Sequence, residues 1–356
     1  MKAESRRGLV TMRDVAKATG FSPATVSIVL NDAPLARYIA SGTKKKIQET
    51  AKRLGYRPNA MARFLRSKRS QSIGVMLTDV TDPFCTPILR GIENALYPLA
   101  YLPIFADAHN QRERFERYLE MLLERHVDAL IVVANWLLVD IHVLADLNKA
   151  EVPTVTIGWE IPGNRRVSFA MVDNEAGGRM AIEHLHQLGH RRIAVILGPK
   201  RLIDSAPRWR GIQKFAQSVK LEIDPSLVTR LPDVFDANAS FEQGYRLTEE
   251  LLQKKKKFSA LIAFDDLTAL GAIRALSKAG IGVPEQCSVI GFDDIAVSGL
   301  SVPSLTTVRQ PLETMGGAAV NIVMEAIKAG HENREWGAVA QRLHAELVIR
   351  DSTQAI

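Results

Sequence analysis

The sequence predicts an all-α N-terminal head followed by an α/β part made of two lobes with parallel sheets. Residues 11–31, TMRDVAKATGFSPATVSIVLN, read as two short helices joined by a tight turn. The first 70 residues hold 16 Lys/Arg against 4 Asp/Glu, a balance of +12, while the rest of the chain carries 30 against 35, or −5. From Ser72 onward short apolar runs alternate with helical stretches, the pattern of parallel strands covered by helices on both faces.

In the first helix Met12, Val15, Ala16 and Thr19 form one inward stripe, Thr11 caps the free N–H groups and Gly20 stops the helix. Ser22 and Pro23 start a second helix, since a hydroxyl serves as N-cap and proline at the first helical position loses no hydrogen bond. Val26, Val29 and Leu30 share its inner face, leaving Ala24, Ser27 and Ile28 outward and uncharged. Such a face suits a major groove, where hydroxyls meet base edges or phosphates and an apolar group meets a thymine methyl. The residues alone leave a second possibility open, a small helical subdomain with Ile28 in its own core. Asn31 to Gly42 reads as a loop containing Pro34, and a third helix runs from about Thr43 to Leu54. There Ile47, Ala51 and Leu54 point inward, Lys44, Lys45, Lys46, Lys52 and Arg53 mostly outward, and Gly55 terminates. After Tyr56-Arg57-Pro58, Asn59 caps one more helix, Ala60 to Arg66. Below roughly 12–15 residues such a helix is marginal in water and orders only against a partner. Lys68 to Ser72 is polar linker.

Seven apolar runs then predict strands: Ile73–Leu77, Leu102–Ala106, Ala129–Val133, Thr154–Ile157, Ile193–Leu197, Ala260–Phe264 and Ser288–Phe292. Ligands of such sheets bind at the carboxyl ends of strands, so a cleft between lobes is expected there. The basic head points to a polyanion partner bound with strong salt dependence. No apolar run approaches the roughly 20 residues that span a bilayer. MKAESRRGLV lacks the apolar segment of a secretory signal, and Cys85 and Cys287 give neither a disulfide framework nor zinc spacing. A cytoplasmic location without membrane contact is expected. HExxH, P-loop and GxSxG motifs are missing and the eight histidines lack metal-ligand spacing. No catalytic residue, metal or cofactor is therefore expected.

Three stretches carry a family resemblance: Ala24-Thr25-Val26-Ser27 on the second helix, Leu54-Gly55-Tyr56-Arg57-Pro58-Asn59, and the segment ending in Leu65. Together they resemble the lac repressor (LacI/GalR) family of bacterial transcription regulators, and the resemblance extends over nearly the whole chain. It implies a helix-turn-helix DNA-binding domain over 1–58 and a hinge helix with linker over 59–71. A periplasmic-binding-protein-like ligand-binding and dimerisation domain follows over 72–356. Lobe 1 would take about 72–162 and 294–326, and lobe 2 about 163–293 and 327–350.

For DNA contact the resemblance implies Thr11, Ser22, Pro23, Ala24, Thr25, Ser27, Ile28, Asn31, Tyr56, Asn59, Ala62 and Leu65. Leu65 matches the leucine that wedges a minor-groove step and bends the duplex. The loop after Asn31 is longer than the commonest form in the family. For ligand contact it implies Thr78, Phe84, Cys85, Arg208, Asp265 and Asp293, to which Trp159 is added from its own chemistry. Cys85 stands where an aromatic is common, and a small buried thiol is its other reading. Arg208 matches an arginine whose planar fork meets hydroxyl or carboxylate groups, a surface salt bridge being the other reading. Trp159 offers a flat face to a ring and fits a core position equally well. Gly158 replaces a polar side chain of some sugar-binding relatives. Asp266 is read as a helix cap, and Asp173-Asn174 as a structural helix start near the cleft. The function implied is a homodimeric repressor of palindromic double-stranded operator DNA, controlled by a small-molecule effector, a sugar or related metabolite. The alternative of another class is a solute-binding or sugar-processing protein whose basic head is incidental.

Overall fold

The computed structural model describes residues 10–31, 33–57, 69–133, 152–160, 166–233, 239–254 and 256–356. The chain divides into two compact units, Met1–Ser70 and Gln71–Ile356.

The first unit contains α1 (Met12–Thr19), α2 (Pro23–Leu30) and α3 (Ser41–Leu54). Thr11 and Asp14 form a capping box at α1: the Thr11 hydroxyl accepts from Asp14 N–H, and Asp14 accepts from Thr11 N–H at 2.8 Å. Gly20 ends α1 at φ +77°, a conformation that favours glycine. The Ser22 hydroxyl accepts from Thr25 N–H at 3.1 Å and caps α2. Val15, Ala16, Val26, Val29, Ile47 and Ala51 make the core, with Met12, Leu30, Leu54 and Tyr56 packed against it. The expected loop between α2 and α3 holds a 3-10 turn, Pro34–Tyr38, because Ala36 gains burial there. α3 starts at Ser41, earlier than the apolar stripe alone places it.

The second unit contains two six-stranded sheets. Its strands are β1 (Ser72–Leu77), β2 (Leu102–Asp107), β3 (Ala129–Val133), β4 (Thr154–Ile157), β5 (Ser168–Val172), β6 (Ile193–Leu197), β7 (Val228–Arg230), β8 (Ala260–Ala263), β9 (Ser288–Asp293), β10 (Thr306–Arg309), β11 (Ala340–Leu343) and β12 (Glu346–Val348). The first sheet has the order β11-β5-β4-β3-β1-β2 and the second β12-β10-β9-β8-β6-β7. The described pairings are parallel except that of β12 with β10, as the apolar runs predict. β1 shows why: Ile73, Val75 and Leu77 pack into one buried cluster and Met76 into another, so the strand is apolar on both faces.

The sheet pairings move three of the expected lobe boundaries. Ser168–Val172 belongs to the first sheet, since this wholly buried run pairs with β4. Thr306–Arg309 pairs with β9 in the second sheet, and Ala340–Leu343 pairs with β5 in the first. The helix Leu312–His331 covers the first sheet through Met315, Ala319 and Val323. The chain therefore passes between the sheets at Asp173, at Gln310-Pro311 and at His344-Ala345. Among the described residues no helix is long and apolar enough to cross a membrane.

Candidate ligand cavity and nucleic-acid interface

Between the two sheets lies a cavity of about 130 Å³ whose lining includes Thr78, Asp82, Phe84 and Cys85 from the first side and Asp204, Arg208, Asp265 and Asp293 from the second. The expected residues Thr78, Phe84, Cys85, Arg208, Asp265 and Asp293 thus line one space. Trp159 does not: it is buried with Phe115, Leu119 and Val132 in the core of the first lobe, and neighbouring Gly158 lines the cavity instead. A large indole gains more contact in a packed apolar core than in a cavity of about 130 Å³.

Arg208 sits on the helix Ser205–Ser218, which crosses the helix Asn174–Gln187 at very close range. A Cβ on Gly178 would lie 2.1 Å from the Arg208 carbonyl oxygen, and one on Gly211 2.0 Å from that of Glu175. This approach sets Arg208 against Asn174. Arg208 Nε donates to Asn174 Oδ1 at 2.8 Å and Nη1 to the Phe264 carbonyl at 2.7 Å. Nη2 lies 3.6 Å from Asp204 and 3.7 Å from Asp293. The guanidinium also stacks 3.6 Å over the Phe292 ring. It is therefore a buried brace at the cavity and not a surface salt bridge. Asn174, read as structural, is also a partner of Asp204, to which its Nδ2 donates at 2.9 Å.

Asp265 lines the cavity as expected and also takes the capping role expected of Asp266. Asp265 is the N-cap, its Oδ1 accepting from Thr268 N–H at 2.6 Å. Asp266 is fully buried and accepts from Ile295 N–H at 2.9 Å, Ser298 Oγ at 2.7 Å and Thr307 Oγ1 at 2.5 Å. The residue at the strand's end keeps extended backbone and can cap, whereas the next is already inside the helix. Asp266 thereby pins the segment that follows Asp293. Asp293 takes φ +111° and Asp294 φ +58°. This left-handed pair is held by Gln310 Nε2 donating to Asp293 Oδ1 at 2.6 Å and by Arg309 and Arg350 on Asp294.

Burial raises the pKa of Asp204, Asp265 and Asp293 above the usual carboxylate range, against the pull of Arg208. Burial lifts Asp82 to about 6, its hydrogen bond from Phe84 N–H opposing and the charges of Asp265 and Asp79 adding to the rise. The Cys85 thiol is pushed far up by burial and by the carboxylates of Asp82, Asp79 and Asp107, which leaves it protonated and inert. Asp79, Asp107 and His109 bring ligand-type atoms within 4.8 Å of one another. Asp79 already accepts from Thr81 and Asn110, and Asp107 from Val80 and His109 N–H groups, so they fasten two loops at the rim.

Residues that sequence reasoning missed are Asp82, Asp204, Asn110 and Gln310. Asp204 carried one available signal, standing four residues before Arg208 on what becomes one helical turn.

In the head, Pro23 and Ala24 are exposed while Thr25, Ser27 and Ile28 are half-buried along α2. The Ser22 and Thr25 hydroxyls lie 2.9 Å apart. Asn31 Nδ2 donates to the Ser27 carbonyl at 2.8 Å and its Oγ at 3.2 Å, so both ends of α2 are tied locally. Thr11 is exposed beside Asp14, and Tyr56 packs on the head core. Asn59, Ala62 and Leu65 lie outside the described residues, as does the expected hinge helix.

Comparison with known proteins follows this division. Residues 11–59 match the family model described as bacterial regulatory proteins, lacI family, and residues 182–353 that of a periplasmic binding protein-like domain. The HTH-type transcriptional repressor PurR of Aliivibrio fischeri (strain MJ11) is 33% identical over 345 residues, covering 97% of this chain and 98% of that protein. PurR of Haemophilus influenzae (strain PittEE) is 33% identical over 352 residues, covering 98% and 100%. The crystal structure of the lac repressor dimer bound to operator and the anti-inducer ONPF superposes with a TM-score of 0.83 at 26% identity, covering 98% of this chain and 100% of that one. A complex of the transcriptional regulator CelR with cellobiose gives 0.70 at 28% identity, covering 96% and 99%.

Proposed function

Since the chain belongs to the lacI family of bacterial regulatory proteins, we propose that it is a homodimeric repressor of palindromic operator DNA whose effector is a small, hydroxyl-rich ring of the sugar class. It is a helix-turn-helix transcriptional regulator under small-molecule control and not an enzyme. It acts on DNA in the cytoplasm. The observation that carries the effector reading is the cavity itself: a buried guanidinium flanked by two carboxylates, with Phe84 and Phe264 as apolar walls. Hydroxyls donate to carboxylates and accept from arginine, while ring C–H faces pack on aromatics. The CelR relative was solved with cellobiose. At about 130 Å³ the cavity here falls below the roughly 300–1,000 Å³ of drug-sized sites, which suits one ring better than two.

In this reading α2 enters the major groove, with Ala24, Thr25, Ser27 and Ile28 toward base edges and Thr11, Ser22, Pro23, Asn31 and Tyr56 toward the backbone. Asn59, Ala62 and Leu65 supply the minor-groove contacts of paired hinge helices. Exposed apolar residues on the second unit, Tyr97, Leu102 and Phe105 on one lobe and Leu300 and Val302 on the other, are the faces offered to the second protomer. Closure around the effector changes DNA affinity only through its differential affinity for the two states.

Selection of binding sites from random duplexes with the full-length protein tests the reading. A palindrome with two half-sites is expected, and Ile28→Arg should change the preferred bases. No preference over random competitor would refute operator binding, and an unchanged preference in the variant would remove Ile28 from base readout.

A further inference from the structure

We propose that the effector carries a protonated amine as well as hydroxyls, an amino sugar in kind, and that Asp82 receives that amine. The assignment rests on reading the cavity as the effector site. Among the described residues lining it there are four carboxylates, Asp82, Asp204, Asp265 and Asp293, and one cation, Arg208. Three of the four are accounted for. Asp204 and Asp293 flank Arg208 and take amide hydrogens from Asn174 and Gln310, and Asp265 caps a helix. Asp82 differs. Its Oδ1 accepts from Phe84 N–H at 2.9 Å, while Oδ2 has no donor and the carboxylate no cation among the described residues. The like charge of Asp265 bears on it as well, although Arg208 draws on Asp265.

Asp82 is half-buried and its free oxygen is open to the cavity, so a ligand that covers it takes a carboxylate out of water, a cost that a counter-charge on the ligand would remove. Burial, together with the like charges of Asp265 and Asp79, raises the Asp82 pKa to about 6. A phosphate or carboxylate on the ligand would add a negative charge to a lining in which carboxylates outnumber cations. A neutral hydroxyl would fill the donor position but leave the charge. An ammonium group supplies up to three donors and the charge together.

The test is a matched panel on the full-length protein: glucosamine, galactosamine and mannosamine beside the corresponding neutral sugars, their N-acetyl amines and their 6-phosphates. Thermal shift and calorimetry read binding, and operator affinity is measured in parallel. At least one amine should bind about tenfold tighter than its neutral counterpart, with the phosphate weakest. Asp82→Asn should narrow the gap between that amine and its neutral counterpart. A neutral or phosphorylated member binding as tightly as the amine, or no amine binding at all, overturns the assignment. A neutral sugar that binds tightest and alters operator affinity overturns it while leaving the regulator reading intact. An amine that binds tightest without altering operator affinity overturns the assignment of the amine to the effector.

Discussion

On the second-sheet side of the cavity each charged group is held by protein: Arg208 by Asn174, the Phe264 carbonyl, Asp204 and Asp293, and Asp293 in turn by Gln310. On the first-sheet side Phe84 and Cys85 give apolar cover and Asp82 has a single backbone donor. One wall is a finished network, the other an unfinished one. A finished network is rigid and loses much when cut; an unfinished one loses little, and ligand completes it.

The largest effect should come from cutting the braced wall. Arg208→Met would leave half-buried Asp204 and Asp293 without their cation and Asn174 and the Phe264 carbonyl without their donor, and a loss of about 2–4 kcal/mol is expected in urea unfolding. A loss below about 1 kcal/mol would show the brace is energetically idle. Next is the helix crossing beneath it. Gly211→Ala places a methyl against the Glu175 carbonyl and should cost about 1–3 kcal/mol, with weaker effector binding as Arg208 shifts. Unchanged stability and binding would mean the crossing yields freely. On the open wall Phe84→Ala should cost only about 1 kcal/mol, because the ring is half-buried. Its effect should appear in effector affinity, and the comparison fails if stability falls as far as in Arg208→Met.

The smallest effect has the opposite sign. Between the ordinary carboxylate value of 3.8 and about 6 the folded state holds more protons on Asp82 than the unfolded state. Stability contributed by this group therefore falls as pH rises through that window, and the penalty is complete above it. Asp82→Asn should raise the ligand-free melting temperature by a few degrees at most at pH 7 and by nothing near pH 3.5. A rise of equal size at both values would trace it to something other than charge.

Much of this arrangement was legible in the residues. Six of the seven expected strands are interior apolar runs with both faces covered, so burial is written directly into composition, while Leu102–Ala106 is an apolar run at a sheet edge. The capping residues Thr11 and Ser22 likewise announce themselves through local chemistry. Other outer strands do not. AQRL and ELV are half exposed at sheet edges and carry no unbroken apolar signal. SFAMV opens on a buried serine and is short. In the cavity, Arg208, Asp265 and Asp293 stood out at strand and helix ends, whereas Asp82 and Gln310 acquire meaning only when distant segments meet. The capping role falls to Asp265 and not to Asp266 because adjacent carboxylates at a helix start differ only by which one keeps extended backbone.

The three passages between sheets, at Asp173, Gln310-Pro311 and His344-Ala345, make neither lobe a continuous stretch of chain. The first lobe lacks an edge strand and a covering helix until residues 312–343 have emerged from the ribosome, long after its opening strands. Synthesis thus leaves an incomplete first half waiting for its closing pieces, and the interval is one in which chaperones would find exposed apolar surface. A contiguous fragment such as 72–162 should accordingly aggregate when expressed by itself, whereas a circularly permuted chain that begins near residue 312 would supply those pieces first.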